Sequence, residues 1–402
     1  MAVERVVVVG GGASGVLTAA ALSRRSEVGG IVLVAREDRV GPGLAYGTAA
    51  AHHRLNSPAG RMSAWQDDPD DFLRWAATAG SPQDAAEFSP RRLYGDYLES
   101  VAASLPRTTV VHGEAVDVRG GAVVLADGRS IPAYAVVLAL GNPPPLGRTA
   151  PAVRAVADPW APGALDGVRG RVLLLGTGLT MVDVATSLAR ADPGTRLTAT
   201  SRNRLLPRVH LDVPQPAGPG VQGDPTTVGG VVRAFHDRLR ACDRAWQAEV
   251  DGVRPQVNAL WGALGHEDRV RFIRHVSRHW EVHRHRMSPI VAAEVHGLLA
   301  SGRLVIGDAD GEYDAVVDCT GPRPFAEPGW NPLVDALLAS GAAHPDALGI
   351  GIDVDAEGRV QGASALFAVG PARRGSQWES TAIPEIRQHA TEVAAAVGGP
   401  SS

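Results

Sequence analysis

Cysteine is scarce: Cys242 and Cys319 are the only two in 402 residues, and they form no CxxC or CxxxxC pair. A disulfide framework and a dithiol active site are therefore not expected, and a reducing cytosol is the expected compartment. An excess of one charge is also lacking. The chain carries 39 basic and 43 acidic side chains, a formal charge of −4, and no long basic run. That balance implies neither nucleic acid nor an anionic membrane as a partner. No stretch reaches the roughly 18 to 20 uncharged apolar residues that span a bilayer. The apolar run from Val6 to Leu22 follows Arg5, but three consecutive glycines break it and Glu4 sits where a signal peptide is positive. It reads as strand, turn and helix instead of a leader. The expectation is a soluble cytoplasmic protein.

What is present is enough apolar material, 45% of residues, to bury a large interior. A chain of this length is expected to use two domains. Val6–Val9 is a β-branched run suited to a strand buried on both faces, and Val16 to Arg24 reads as a helix. Ile31–Val34 completes a βαβ unit. Helices are expected over 70–79 and 94–105, then β structure from Thr108 to Gly141, with strands at 110–118 and 122–126 and a turn at Asp127-Gly128. The prolines at 143–145 mark a domain exit. A second unit begins at Val172–Leu175, continues through a helix from Leu179 to Arg190, and reaches a strand at Leu197–Thr200. Residues 231–302 have helical spacing. Leu304–Ile306 and Ala315–Val317 are expected to form a hairpin across Asp310-Gly311, followed by a strand at 365–369 and a closing helix over 383–397.

Gly10, Gly12 and Gly15 form GxGxxG between the first strand and helix. The first glycine permits the turn, the second lets backbone approach a pyrophosphate, and the third lets helix and strand pack. The helix N-terminus then offers free N–H groups to phosphate. The turn Gly10-Gly11-Gly12-Ala13-Ser14-Gly15 is thus a candidate dinucleotide cradle. The acid that usually ends the second strand and holds the ribose is replaced by Ala35; Glu37 is either its substitute or a solvated loop carboxylate. A second turn, Gly176-Thr177-Gly178, lacks the third glycine and has Met181 there. Its next strand ends at Ser201-Arg202-Asn203-Arg204 without a carboxylate, and an arginine there pairs with a 2′-phosphate, favouring NADPH over NADH. Two such folds in one chain suit hydride transfer from nicotinamide to flavin, a step that brings both cofactors together. His275, His279 and His283 fall four apart, but without an HExxH or cysteine pair the reading is an electropositive face and no metal site.

Several stretches together resemble the two-dinucleotide-binding flavoproteins grouped as FAD–NAD(P)-binding proteins, distant relatives of flavin-dependent monooxygenases. They are GPGLAYGT (41–48), HRLNSPAGRMSAWQDDPDDFLRW (53–75), PRRLYGDYL (90–98), VVLALGNPPP (136–145), VLLLGTGLTMVDVATSL (172–188), HRHRMSP (283–289), DCTGP (318–322) and WESTAIPEIRQ (378–388). The resemblance implies FAD at Gly10, Gly12, Ser14 and Gly15, with Asn56, Ser57 and Met62 near the flavin ring and Gly370 and Trp378 near the closing helix. It places Thr180 and Arg202 toward NAD(P)H; Asn203 stands where a second basic residue is common.

The fold class that follows is α/β, with two Rossmann-like dinucleotide-binding domains and a β-meander. The FAD domain is expected to be discontinuous, over 1–150 and 304–402, and the NAD(P)H domain with its helical segment to occupy 151–303. Gly141, Gly321 and Gly370, each ending an apolar strand, join the cofactor-binding candidates with Ser201. Asn56 and His210 are the candidates for chemistry. The expected function is an NAD(P)H-dependent flavin monooxygenase that uses molecular oxygen to hydroxylate a small nitrogenous substrate such as an amine or a purine. Two alternatives share every motif: a flavin dehydrogenase or reductase without oxygen insertion, and a non-catalytic redox sensor.

Overall fold

The structure is a computed structural model that describes residues 5–223, 225–242 and 245–398. In chain order the strands are β1 (Val6–Val9), β2 (Ile31–Ala35), β3 (Thr108–His112), β4 (Ala115–Arg119), β5 (Ala122–Leu125), β6 (Ser130–Pro132) and β7 (Ala135–Leu138). They continue as β8 (Arg154–Val156), β9 (Arg171–Leu175), β10 (Arg196–Thr200), β11 (Leu304–Ile306), β12 (Ala315–Asp318) and β13 (Leu366–Ala368). The chain divides into two compact units. The first comprises residues up to 51, 57–143 and from 324 onward; the second comprises 52–56 and 144–323.

The first unit is built on a parallel sheet of order β13-β7-β1-β2-β3. β1, β2, β7 and β13 are buried along their whole lengths, as expected of strands covered on both faces. A separate antiparallel meander, β4-β5-β6, packs against the helix Pro332–Ser340. The single strand expected over 110–118 is two strands. The chain breaks at Gly113, so β3 joins the parallel sheet and β4 opens the meander.

The second unit carries another five-stranded parallel sheet, of order β11-β10-β9-β12-β8. Its core gathers Val172, Leu174, Met181, Val184, Leu188, Leu197 and Val317. The expected hairpin at 304–317 is corrected by this pairing: Leu304 lies against Leu197, and Ala315 against Val172. Residues 304–323 therefore belong to the second unit, and the chain returns to the first at 324. The physical reason is burial: Ala315–Asp318 is buried at all four positions, which suits an interior parallel strand and not a hairpin arm with one face in water.

Candidate functional site

In the first unit β1 ends at Gly10, where φ is 120° and a β-carbon would lie 2.3 Å from the Ala139 carbonyl oxygen. Only glycine suits that exit. The helix Ala13–Ser23 starts from Gly12 with no side-chain cap and no acidic residue in its first turn. Its first N–H groups and its positive end are left for an anion. Gly15 lets this helix sit on the strand, since a β-carbon there would be 1.8 Å from the Gly10 carbonyl oxygen. Gly41 N donates to the Gly11 carbonyl at 2.7 Å, and Thr18 Oγ1 donates to the Ser14 carbonyl at 2.7 Å, which fixes the turn from both sides. Ser380 Oγ, buried and without a hydrogen-bond partner, belongs to the segment beside Gly370, and a β-carbon on Gly370 would approach Ser14 Oγ to 3.1 Å. An orphaned buried hydroxyl calls for a partner. Uncapped backbone donors, close-packed glycines and that hydroxyl together fit a dinucleotide's diphosphate.

The other expected residues of this unit are dispersed around that turn. Position 35 is small because it packs on the turn: a β-carbon on Gly11 would lie 2.5 Å from Ala35 Cβ. Glu37 is exposed, with its carboxylate 3.5 Å from the Arg36 guanidinium. Met62 is buried, Ser57 is half-buried, and Gly141 follows β7 with φ of 71°. Trp378 is buried, and the Arg374 guanidinium lies 4.5 Å from its ring centre. Two residues not singled out from sequence pin the segment around Met62. The Tyr97 hydroxyl accepts from Ala64 N at 2.9 Å and donates to Asp71 at 2.5 Å, while Arg387 donates to the Ser63 carbonyl at 2.7 Å. Both lie in stretches quoted above for the resemblance, where their role as clasps between distant segments was invisible.

In the second unit Gly176 leaves β9 with φ of 113°, and a β-carbon there would be 2.4 Å from the Cys319 carbonyl oxygen. The helix Leu179–Ala191, with Thr180 in its first turn, starts from Gly178, again without a side-chain cap or an early acid. Met181 is buried in the core of this unit. Ser201 is committed internally: its hydroxyl lies 2.8 Å from Thr177 Oγ1 and accepts from Arg204 N at 3.1 Å. Arg204 is paired with Asp308 at 2.5 Å, whereas Arg202 is exposed. Arg278 is an addition that spacing did not reveal. It follows a π-helical turn, Phe272–Val276, and its guanidinium nitrogens stand 3.7 and 3.8 Å from where a Gly178 β-carbon would be. It is anchored by donating to the Leu205 carbonyl at 3.2 Å, which also accepts from Thr177 at 2.7 Å. Such π turns are frequent at functional sites. Gly321 follows β12 with φ of 88°, as Gly141 follows β7.

Asn56 and His210 meet in this unit: His210 Nε2 donates to the Asn56 carbonyl at 3.1 Å. His52 and His53 both reach Ser187 Oγ, at 3.2 and 2.9 Å. Burial, reinforced by His53, lowers His52 to about 4, so it stays neutral. His283 Nδ1 donates to the His279 carbonyl at 2.7 Å. Among the described residues no group of three or more His, Cys, Asp or Glu is placed to hold a metal ion. Burial pushes the Cys319 thiol well up, which keeps it protonated and unreactive.

Two glycine turns, each between a parallel strand and a helix, form the layout used for dinucleotides. Residues 7–143, from β1 to the end of the first unit's N-terminal part, match the family model described as FAD-NAD(P)-binding. Residues 7–143 are an FAD-NAD(P)-binding domain. No curated protein matches the chain. Among solved structures, the chain is similar to an ornithine N-hydroxylase from Kutzneria sp. 744, at 16% identity, 98% coverage of each chain and a TM-score of 0.64. It is similar to L-lysine 6-monooxygenase from Pseudomonas syringae, at 17% identity, 98% coverage of each and a TM-score of 0.59. It is also similar to a bacillithiol disulfide reductase from Bacillus cereus, at 15% identity, 98% coverage of each and a TM-score of 0.55. At such identities the likeness is one of fold, and it extends well beyond the FAD-NAD(P)-binding domain. No helix among the described residues is long and apolar enough to cross a membrane.

Proposed function

We propose that this protein is an NAD(P)H-dependent flavin monooxygenase that hydroxylates a small nitrogenous substrate. The observation that carries the reading is the pair of glycine turns, each in a parallel-sheet unit of its own. An oxidase that uses oxygen alone has no need of the second. The end-to-end likeness to an ornithine N-hydroxylase and an L-lysine 6-monooxygenase supports the substrate class.

In this reading FAD lies along the Gly10–Gly15 turn, with Ala13, Ser14 and Ser380 at its diphosphate, and NADPH lies along Gly176–Gly178. Bound flavin would accept hydride and activate oxygen for transfer to the substrate. The chain's part is to orient and to shield. The uncapped starts of the helices Ala13–Ser23 and Leu179–Ala191 receive the two diphosphates. Arg202 takes the 2′-phosphate, since Arg204 is already held by Asp308. His210 is held in place by its Nε2, which donates to the Asn56 carbonyl at 3.1 Å.

The similarity to a disulfide reductase favours one second reading, an NAD(P)H-dependent reductase without oxygen insertion. The buried, protonated Cys319 offers no thiolate for such a reaction. Purified protein should be yellow and should oxidise NADPH. Oxygen uptake is then followed across a panel of amines and purines. A substrate that lowers peroxide release while gaining one hydroxyl supports the monooxygenase; NADPH oxidation with an added electron acceptor, and no hydroxylated product from any substrate, supports the reductase.

A further inference from the structure

The closing helix Ile383–Gly398 carries a buried histidine that none of the steps above uses. His389 is 1% exposed and lies against the short turn Gly370–Arg373 at the end of β13. Its Nδ1 accepts from Gly370 N at 3.3 Å, so the ring proton is on Nε2, which donates to the Gln377 side-chain oxygen at 2.5 Å. The tautomer is therefore set by both ends of the chain of bonds. Gly370 in turn stands against Ser14 in the first turn of the Ala13–Ser23 helix, with φ of 71° and a β-carbon there tight at 3.1 Å from the Ser14 hydroxyl.

We infer that His389 is a positioning residue for FAD, holding the Gly370 backbone against Ser14 so that the diphosphate turn is closed on its open side. The inference rests on the reading that FAD occupies the first glycine turn. The Ala372 carbonyl, which accepts from Ile352 N at 2.8 Å, and the Arg373–Glu392 ion pair at 2.9 Å hold the far end of the turn. Without the acceptor at Nδ1 the Gly370 N–H at its near end is left buried and unpaired. Burial first, and then the nearby Arg373 guanidinium, itself paired with Glu392 at 2.9 Å, keep the imidazole neutral. Protonation would convert Nδ1 into a donor that faces another donor.

The test titrates FAD into apoprotein of the wild type, His389→Leu and His389→Asn, following flavin fluorescence, alongside apoprotein melting. Asparagine places an acceptor oxygen where Nδ1 stood; leucine places none. His389→Leu is expected to weaken FAD binding by about tenfold or more, the cost of one buried unpaired donor. His389→Asn should stay within about threefold of the wild type, because the buried bond is restored. On acidification the wild type should shed FAD at a pH where His389→Asn retains it. Wild-type affinity in His389→Leu overturns the inference. So does equal weakness in both variants with apoprotein melting unchanged. If His389→Leu does not fold, the comparison of acid release between the wild type and His389→Asn decides. A wild type that binds no FAD at all is a different result, and it removes the assignment of the first turn itself.

Discussion

Gly15 has less room for a β-carbon than any other residue of the first turn, since the nearest backbone oxygen would be 1.8 Å away. Gly15→Ala is therefore expected to yield protein without bound flavin, or none soluble, read from the ratio of flavin to protein absorbance. Gly141→Ala meets open space and pays only for its left-handed backbone, about 1 kcal/mol. That variant should stay yellow. The chain has no lysine, and all 39 basic side chains are arginine, so phosphate recognition falls to guanidinium groups. Arg202→Ala should raise KM for NADPH by about tenfold and leave NADH unchanged, the signature of a lost 2′-phosphate contact. Arg204→Ala should leave both cofactors within about twofold, because that side chain is spent on Asp308. Steady-state kinetics with the two nucleotides separates these outcomes. The glycine turns were legible in the sequence because their geometry is local. Arg278, Tyr97 and Arg387 were not, because each acts on a backbone group or turn at least 33 residues away along the chain.

At the level of elements, the fingerprint is a statement about how closely a helix approaches a strand. The Leu179–Ala191 helix departs from it at Met181, which fills the core of its own sheet. Met181→Gly restores the motif on paper but removes that packing and weakens the helix, at about 3 kcal/mol or more. Thermal melting should fall accordingly, with no gain in NADPH affinity. β1, β2 and β7 were readable as strands because a short, wholly apolar run needs cover on both faces. The pairing of β11 and β12 was not. A glycine turn between two apolar runs is the same signal whether the runs pair with each other or with separate strands. The helix Pro332–Ser340 went unread although its ends are well marked. Asn331 caps it by accepting from Leu333 N and Val334 N, Pro332 opens it, and Gly341 closes it at φ of 73°.

For the whole molecule, half-buried His52 and buried His389, in different units, tie stability to pH. His52 is lowered to about 4 and His389 lies well below its ordinary 6.5, both chiefly through burial. The unfolded chain takes up these protons first. Stability is therefore full above about pH 6.5 and is lost as the pH falls toward the folded values. Urea midpoints should drop between neutral and mildly acidic buffer, and His52→Asn should flatten part of that slope. The sequence by itself determined the two turns, the buried strands and the likeness to a flavoprotein family, since each depends on residues within one strand–turn–helix. Tertiary structure alone decided that 304–323 belongs to the second unit. It alone gave Ser380 no partner and bound His389 to Gly370. Those facts follow from which distant backbone groups come within hydrogen-bond reach, and no local spacing encodes that.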